Sequence, residues 1–133
     1  MKTLPAVLLL LASGVTSLAQ KTVADGNTLD ATCRYQRQLE DGVKLSNEDE
    51  FGKAAFCIGY VRGVLDEIWT QQNFPVEAKA KPADRSKICI PDTVNNEQAI
   101  KVVTKYLHDN PAKLQLTGSY LIRLSMQEAF PCK

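Results

Sequence analysis

The sequence predicts an all-α fold, a small four-helix domain built from two disulfide-locked helical hairpins. Three observations carry that prediction. The stretch from Phe56 to Asp66, read at 3.6 residues per turn, puts Cys57, Val61, Val64, Leu65 and Ile68 on one broad face, with Phe56 and Tyr60 at its edge. Helix-start signals recur at Asn27, Ser46, Asn95 and Asn110-Pro111, each followed by helix-compatible sequence, and no stretch alternates convincingly at the two-residue period of a strand. Cys33, Cys57, Cys89 and Cys132 fall where neighbouring helices can bring them together in pairs.

The chain begins with Lys2, an apolar run from Leu4 to Ala12, and small residues ending in Ser17-Leu18-Ala19. This is the layout of a cleavable signal peptide, so residues 1–19 are expected to be removed and Gln20 to start the mature chain. The run is too short to span a membrane, and no cysteine stands at the cleavage point to accept a lipid anchor. Losing Lys2 leaves 15 of the 16 Lys and Arg residues against 15 Asp and Glu. A balanced charge without a basic stripe argues against nucleic acid or an anionic membrane surface as partner. Residues 20–133 are expected to form a single domain with a modest core.

Taken in order, Asn27 is placed to cap a first helix from Thr28 to about Leu39, which Asp41-Gly42 breaks. Ser46 caps the second start, and Glu48, Asp49 and Glu50 crowd the first turn as the helix dipole prefers. That helix runs to about Gln71. Gly59 and Gly63, four apart within it, cost about 1 kcal/mol each relative to alanine, which suggests another backbone approaching closely. From Gln72 to Ile90 periodicity dissolves around Pro75 and Pro82. Asn95 and Gln98 read as a capping box, with Val94 stapling onto Ala99, for a third helix that buries Ala99, Val102, Val103, Tyr106 and Leu107 and ends near His108. Asn110-Pro111 starts a fourth, with Leu114, Gly118, Leu121, Leu124 and Ser125 on one face, closing at Phe130-Pro131-Cys132.

Four cysteines in an exported chain imply two disulfides, with three possible connectivities. Short connections make consecutive helices antiparallel neighbours. Cys33 and Cys57 then lie about one turn apart in level, while Cys89 just before the third helix meets Cys132 just after the fourth. Helix geometry therefore favours Cys33–Cys57 and Cys89–Cys132. Zinc is disfavoured, since no CxxC pair exists and His108 is the only histidine.

No constellation of catalytic groups can be assembled. His108 reads as a helix-end residue, there is no nucleophile elbow or phosphate-binding glycine loop, and disulfide pairing leaves no free thiol. Asp66 and Glu67 are adjacent, so they point about 100° apart and cannot form a carboxylate pair on one helix face. Asp66 and Arg62, spaced i and i+4, read as a surface ion pair. The tyrosines, Phe56 and Trp69 read as core and edge aromatics. These residues point to a binding protein rather than an enzyme, with no cofactor or metal.

The chain resembles the Rap/Tai immunity proteins, which protect Gram-negative bacteria from type VI secretion amidase effectors. The matching pieces, in order, are Leu29 with Cys33, the run from Cys57 to Val64, Cys89-Ile90-Pro91, Gln98 with Val102, Val103, Tyr106 and Leu107, Asn110-Pro111, and Ala129-Phe130-Pro131-Cys132. The resemblance implies a periplasmic, disulfide-bonded helical protein, often a homodimer, that binds and blocks a peptidoglycan-cleaving amidase. An inhibitor must put something into a concave active site, and the irregular segment from Gln72 to Lys87 is the best placed to do so. Within it, Phe74, Asp84 and Arg85 are expected to contact the partner; the exposed side of the second helix around Arg62 and Glu67 is the competing surface. The alternative function is a periplasmic helical binding protein or chaperone unrelated to toxin immunity.

Overall fold

A computed structural model describes residues 24–74 and 87–132. The signal-peptide expectation therefore lies outside the described residues. The observed elements are α1 (Gly26–Glu40), α2 (Glu48–Asn73), α3 (Asn96–Asp109), a 3-10 turn (Pro111–Lys113) and α4 (Gly118–Ala129), with no strand among the described residues. The four-helix, all-α expectation holds. Every helix touches each of the other three.

The central stripe of α2 behaves as its periodicity requires: Cys57, Val61 and Ile68 are fully buried and Leu65 nearly so, while Val64 is half-buried. Around them pack Leu29 of α1, Val103 and Leu107 of α3, and Leu121, Ile122 and Met126 of α4. Burying each of these aliphatic side chains stabilises the fold by about 1.5–3 kcal/mol relative to exposure. On α3 the buried set also includes Ile100 and Thr104, beyond the residues expected, and Val102 is only half-buried.

Both disulfides form as expected. Cys33–Cys57 clamps the middle of α1 to α2 with its Cα atoms 5.0 Å apart, and both residues are inaccessible to solvent. Cys89–Cys132 joins the residue pair flanking α3 and α4, at a Cα separation of 4.9 Å. Two backbone hydrogen bonds frame it, Cys89 N–H to the Phe130 carbonyl at 2.9 Å and Cys132 N–H to the Lys87 carbonyl at 3.1 Å. This second bridge lies at an exposed end of the molecule. Thiol–disulfide exchange requires access to sulfur, so mild reductant is expected to open Cys89–Cys132 before Cys33–Cys57. Partial reduction, alkylation and peptide mapping check the order; simultaneous labelling of all four cysteines would count against it.

The helix starts shift by a residue or two. Asp25, not Asn27, caps α1, its Oδ1 accepting from Thr28 N–H at 2.9 Å. Asn27 is used elsewhere: its side-chain amide and backbone N–H both donate to the Leu114 carbonyl, at 3.1 and 3.0 Å. Asn47 caps α2 through Glu50 N–H, and the Glu50 carboxylate accepts from Ser46 N–H, a capping box displaced by one residue. Asn95 caps α3 as expected, accepting from Gln98 N–H at 2.8 Å. Gly42, at φ +76°, makes the left-handed turn that ends the first hairpin's upper arm.

Two further expectations are corrected. The helix expected from Pro111 splits into the 3-10 turn and α4. The cause is the unpaired amides at the start of α1: Gly26 N–H donates to the Leu116 carbonyl at 2.8 Å, Asn27 N–H to that of Leu114, and Gly118 N–H returns to Ala24. Residues 114–117 are held out of the helix to supply those acceptors, and a bridge between Asp25 and Thr117 marks the clasp. The second correction concerns Gly59 and Gly63. Both are exposed, and a Cβ on either would meet nothing within 4 Å. They lie on the side of α2 opposite Val61, and no backbone among the described residues approaches them. Gly59→Ala and Gly63→Ala are each expected to raise stability by about 0.5–1 kcal/mol through helix propensity and a less free unfolded chain. Thermal melts of the two variants check this, and a loss of stability would restore the close-approach view.

Candidate partner-binding surface

The outer face of α2 is where the fold leaves its chemistry available. Along its centre line run Gly52, Gly59, Gly63 and Thr70, all exposed, so few side chains stand above the helix backbone there. Large apolar groups flank the line. Phe56 is 43% exposed and lies 5.7 Å from the Tyr60 ring, whereas Trp69 is 51% exposed and meets Phe74 edge-on at 5.8 Å.

Two grooves border this helix. One, of about 330 Å³, runs between the starts of α1 and α2 and is lined by Thr28, Thr32, Gly52 and Phe56. Its charges are spent on each other: Lys53 bonds Asp49, and that bond holds the lysine above its ordinary pKa. The other, of about 270 Å³, lies between the C-terminal half of α2 and the approach to α3. Leu65, Asp66 and Trp69 form one wall, Ile90 and Val94 with the α3 cap Asn95 the other.

The charged residues sort into structural and unengaged groups. Glu67 pairs with Arg123, which ties α2 to α4. Arg37 reaches Asp30 at 3.1 Å and the Thr104 carbonyl at 3.4 Å, tying α1 to α3. Lys113 donates to the Tyr106 hydroxyl at 2.9 Å, which keeps its pKa above the ordinary value. The expected Arg62–Asp66 ion pair does not form; among the described residues neither side chain has an ionic or hydrogen-bonding partner. An exposed pair at this spacing gains only about 0.3–0.5 kcal/mol, and a base placed four residues before the acid is the weaker of the two orders on a helix.

Of the expected partner-contact residues, Phe74 closes α2 and is 63% exposed. Asp84 and Arg85 lie outside the described residues. The four cysteines occupy the two bridges, His108 is exposed in the last turn of α3, and no group of three metal-ligating side chains converges among the described residues. The groove at Trp69 was not singled out from the sequence. Its signal was present: Trp69 falls off the Cys57–Val61–Leu65–Ile68 stripe yet one turn beyond Leu65, at the margin where core meets solvent.

These features define a class: a small helical domain pinned by one buried and one exposed disulfide, displaying aromatic-edged grooves along its central helix. The chain belongs to the Rap1a immunity protein family, whose family model, described as Rap1a immunity proteins, matches residues 25–132. No curated protein matches the sequence significantly.

Proposed function

We propose that this chain is exported to the periplasm of a Gram-negative bacterium, where it acts as a stoichiometric inhibitor of a secreted peptidoglycan amidase. Membership of an immunity family across residues 25–132 is the observation that carries the proposal. Two disulfides in a chain of this length support it, because such bonds persist in oxidising compartments and are rare in the cytosol. The leader-like residues 1–19 support export. Residues 20–133 act as one domain. Inhibition requires the chain to occupy or cover the amidase's catalytic cleft, and the exposed ring of Phe74, with Asp84 and Arg85 beyond it, is proposed to contribute.

The experiment is a titration of the purified mature chain into peptidoglycan digestion by an amidase encoded beside it. Activity is expected to fall to background at one equivalent; undiminished release of peptides at large excess would remove the proposal. At least one of Phe74→Ala, Asp84→Ala and Arg85→Ala is expected to weaken binding by roughly 2 kcal/mol, as interface anchors do. Wild-type affinity in all three would take these residues out of the interface.

A further inference from the structure

We propose that the groove between α2 and the start of α3 is a receptor for an arginine carried on an aliphatic segment of the partner protein. Its size comes first. At about 270 Å³ it falls below the roughly 300–1,000 Å³ of pockets that enclose a small ligand, so it suits one or two side chains rather than a cofactor. Its chemistry is two-sided. Leu65 on one wall and Ile90 and Val94 on the other offer apolar surface, while Asp66 is the only charged residue among the described residues that line it. Asp66 has no partner among the described residues, in contrast to its neighbour Glu67, which is held by Arg123.

Trp69 completes the receptor. It lies one turn beyond Asp66 on the same side of α2, half-exposed, and Phe74 meeting its ring edge-on limits the ways the indole can turn. A planar guanidinium stacks on an indole face and donates two parallel hydrogen bonds to a carboxylate, which a lysine ammonium cannot do. The N-terminus of α3 opposes a cation from the far wall, but it carries only about half a charge, and the Asn95 side chain already accepts from its Gln98 N–H. The full charge of Asp66 dominates near its own wall, so the guanidinium sits against α2 and the aliphatic neighbour against Ile90 and Val94.

The identity of the partner rests on the immunity proposal, whereas the receptor itself does not, and the test separates them. Trp69 is the only tryptophan in the chain, so its fluorescence reads the groove directly. The full-length mature protein is titrated with acetyl-Leu-Arg-Leu-amide and acetyl-Leu-Gln-Leu-amide into the millimolar range. The arginine peptide is expected to bind at least about fivefold more tightly, and Asp66→Asn to diminish that preference while leaving the thermal melt unchanged. Equal binding of the two peptides, no response to either, or an undiminished preference in Asp66→Asn would overturn the receptor. In the second arm, Asp66→Asn and Trp69→Ala are expected to weaken affinity for the amidase at least about tenfold. An amidase inhibited by wild type and equally by both variants would overturn the assignment of the groove to this partner and leave the immunity proposal standing. An arginine-selective groove in a chain that does not inhibit the amidase would do the reverse.

Discussion

Gly26→Ala is expected to destabilise the domain by about 3 kcal/mol, the upper part of the range for overpacking a fitted site. The methyl group would fall on Leu121 Cδ1 and within 2.7 and 2.8 Å of the Leu114 carbonyl oxygen and Cα. The leucine methyl can swing aside; the backbone of Leu114 cannot, because its carbonyl accepts both hydrogen bonds from Asn27. Relieving the clash opens the clasp between residues 24–27 and 114–118, exposing amides at the start of α1 that have no other acceptor. In a domain of this size such a loss lowers the melting temperature by on the order of 10 °C. Thermal denaturation of Gly26→Ala beside Gly59→Ala checks the contrast, since one variant is expected to melt lower and the other higher than wild type. Melting points that move together would mean that neither site is packed as described.

Replacing Cys33 and Cys57 together by alanine is expected to cost about 4 kcal/mol. The 24-residue separation gives a chain-entropy contribution of roughly 3.5 kcal/mol, and the lost sulfur atoms leave unfilled volume at two fully buried positions. The 43-residue separation of Cys89 and Cys132 gives a slightly larger entropic figure, roughly 4 kcal/mol, but its exposed site leaves no cavity. Chain entropy alone therefore ranks the outer bridge as the stronger, and burial offsets that ranking. Since whole domains are stable by only about 5–15 kcal/mol, either loss is a large fraction of the total. Urea denaturation of the two double-alanine variants checks the magnitudes; a loss below about 1 kcal/mol for Cys33 and Cys57 would mean that the α1–α2 hairpin holds without its clamp.

The parts of the fold legible in the sequence were those set by local periodicity and by covalent reach. The Cys57–Val61–Leu65–Ile68 stripe and the pairing of the cysteines follow from helix geometry, and the Asn95 cap from its spacing to Gln98. The errors came where a distant segment competed for the same groups. Asn27 has the side chain of a cap, but Leu114 and Leu116, almost ninety residues on, draw it and Gly26 into a clasp that also interrupts the fourth helix. Gly59 and Gly63 were misjudged for a different reason. Their spacing suggested a seam, yet their angular position relative to Val61 already put them on the solvent side. The groove at Trp69 needed the approach to α3 folded back beside α2, which no spacing within α2 reveals.

The central proposal, that the chain confers immunity outside the cytoplasm by binding an amidase, is tested most directly by protection of growing cells. An amidase encoded beside this chain is exported to the periplasm of a host strain, with the full-length chain or with a version lacking residues 1–19. The account predicts that growth is restored only by the full-length chain, and that an amidase carrying a catalytic mutation needs no protection. Lysis despite export of the full-length chain, or equal protection by the version that stays inside, would contradict it.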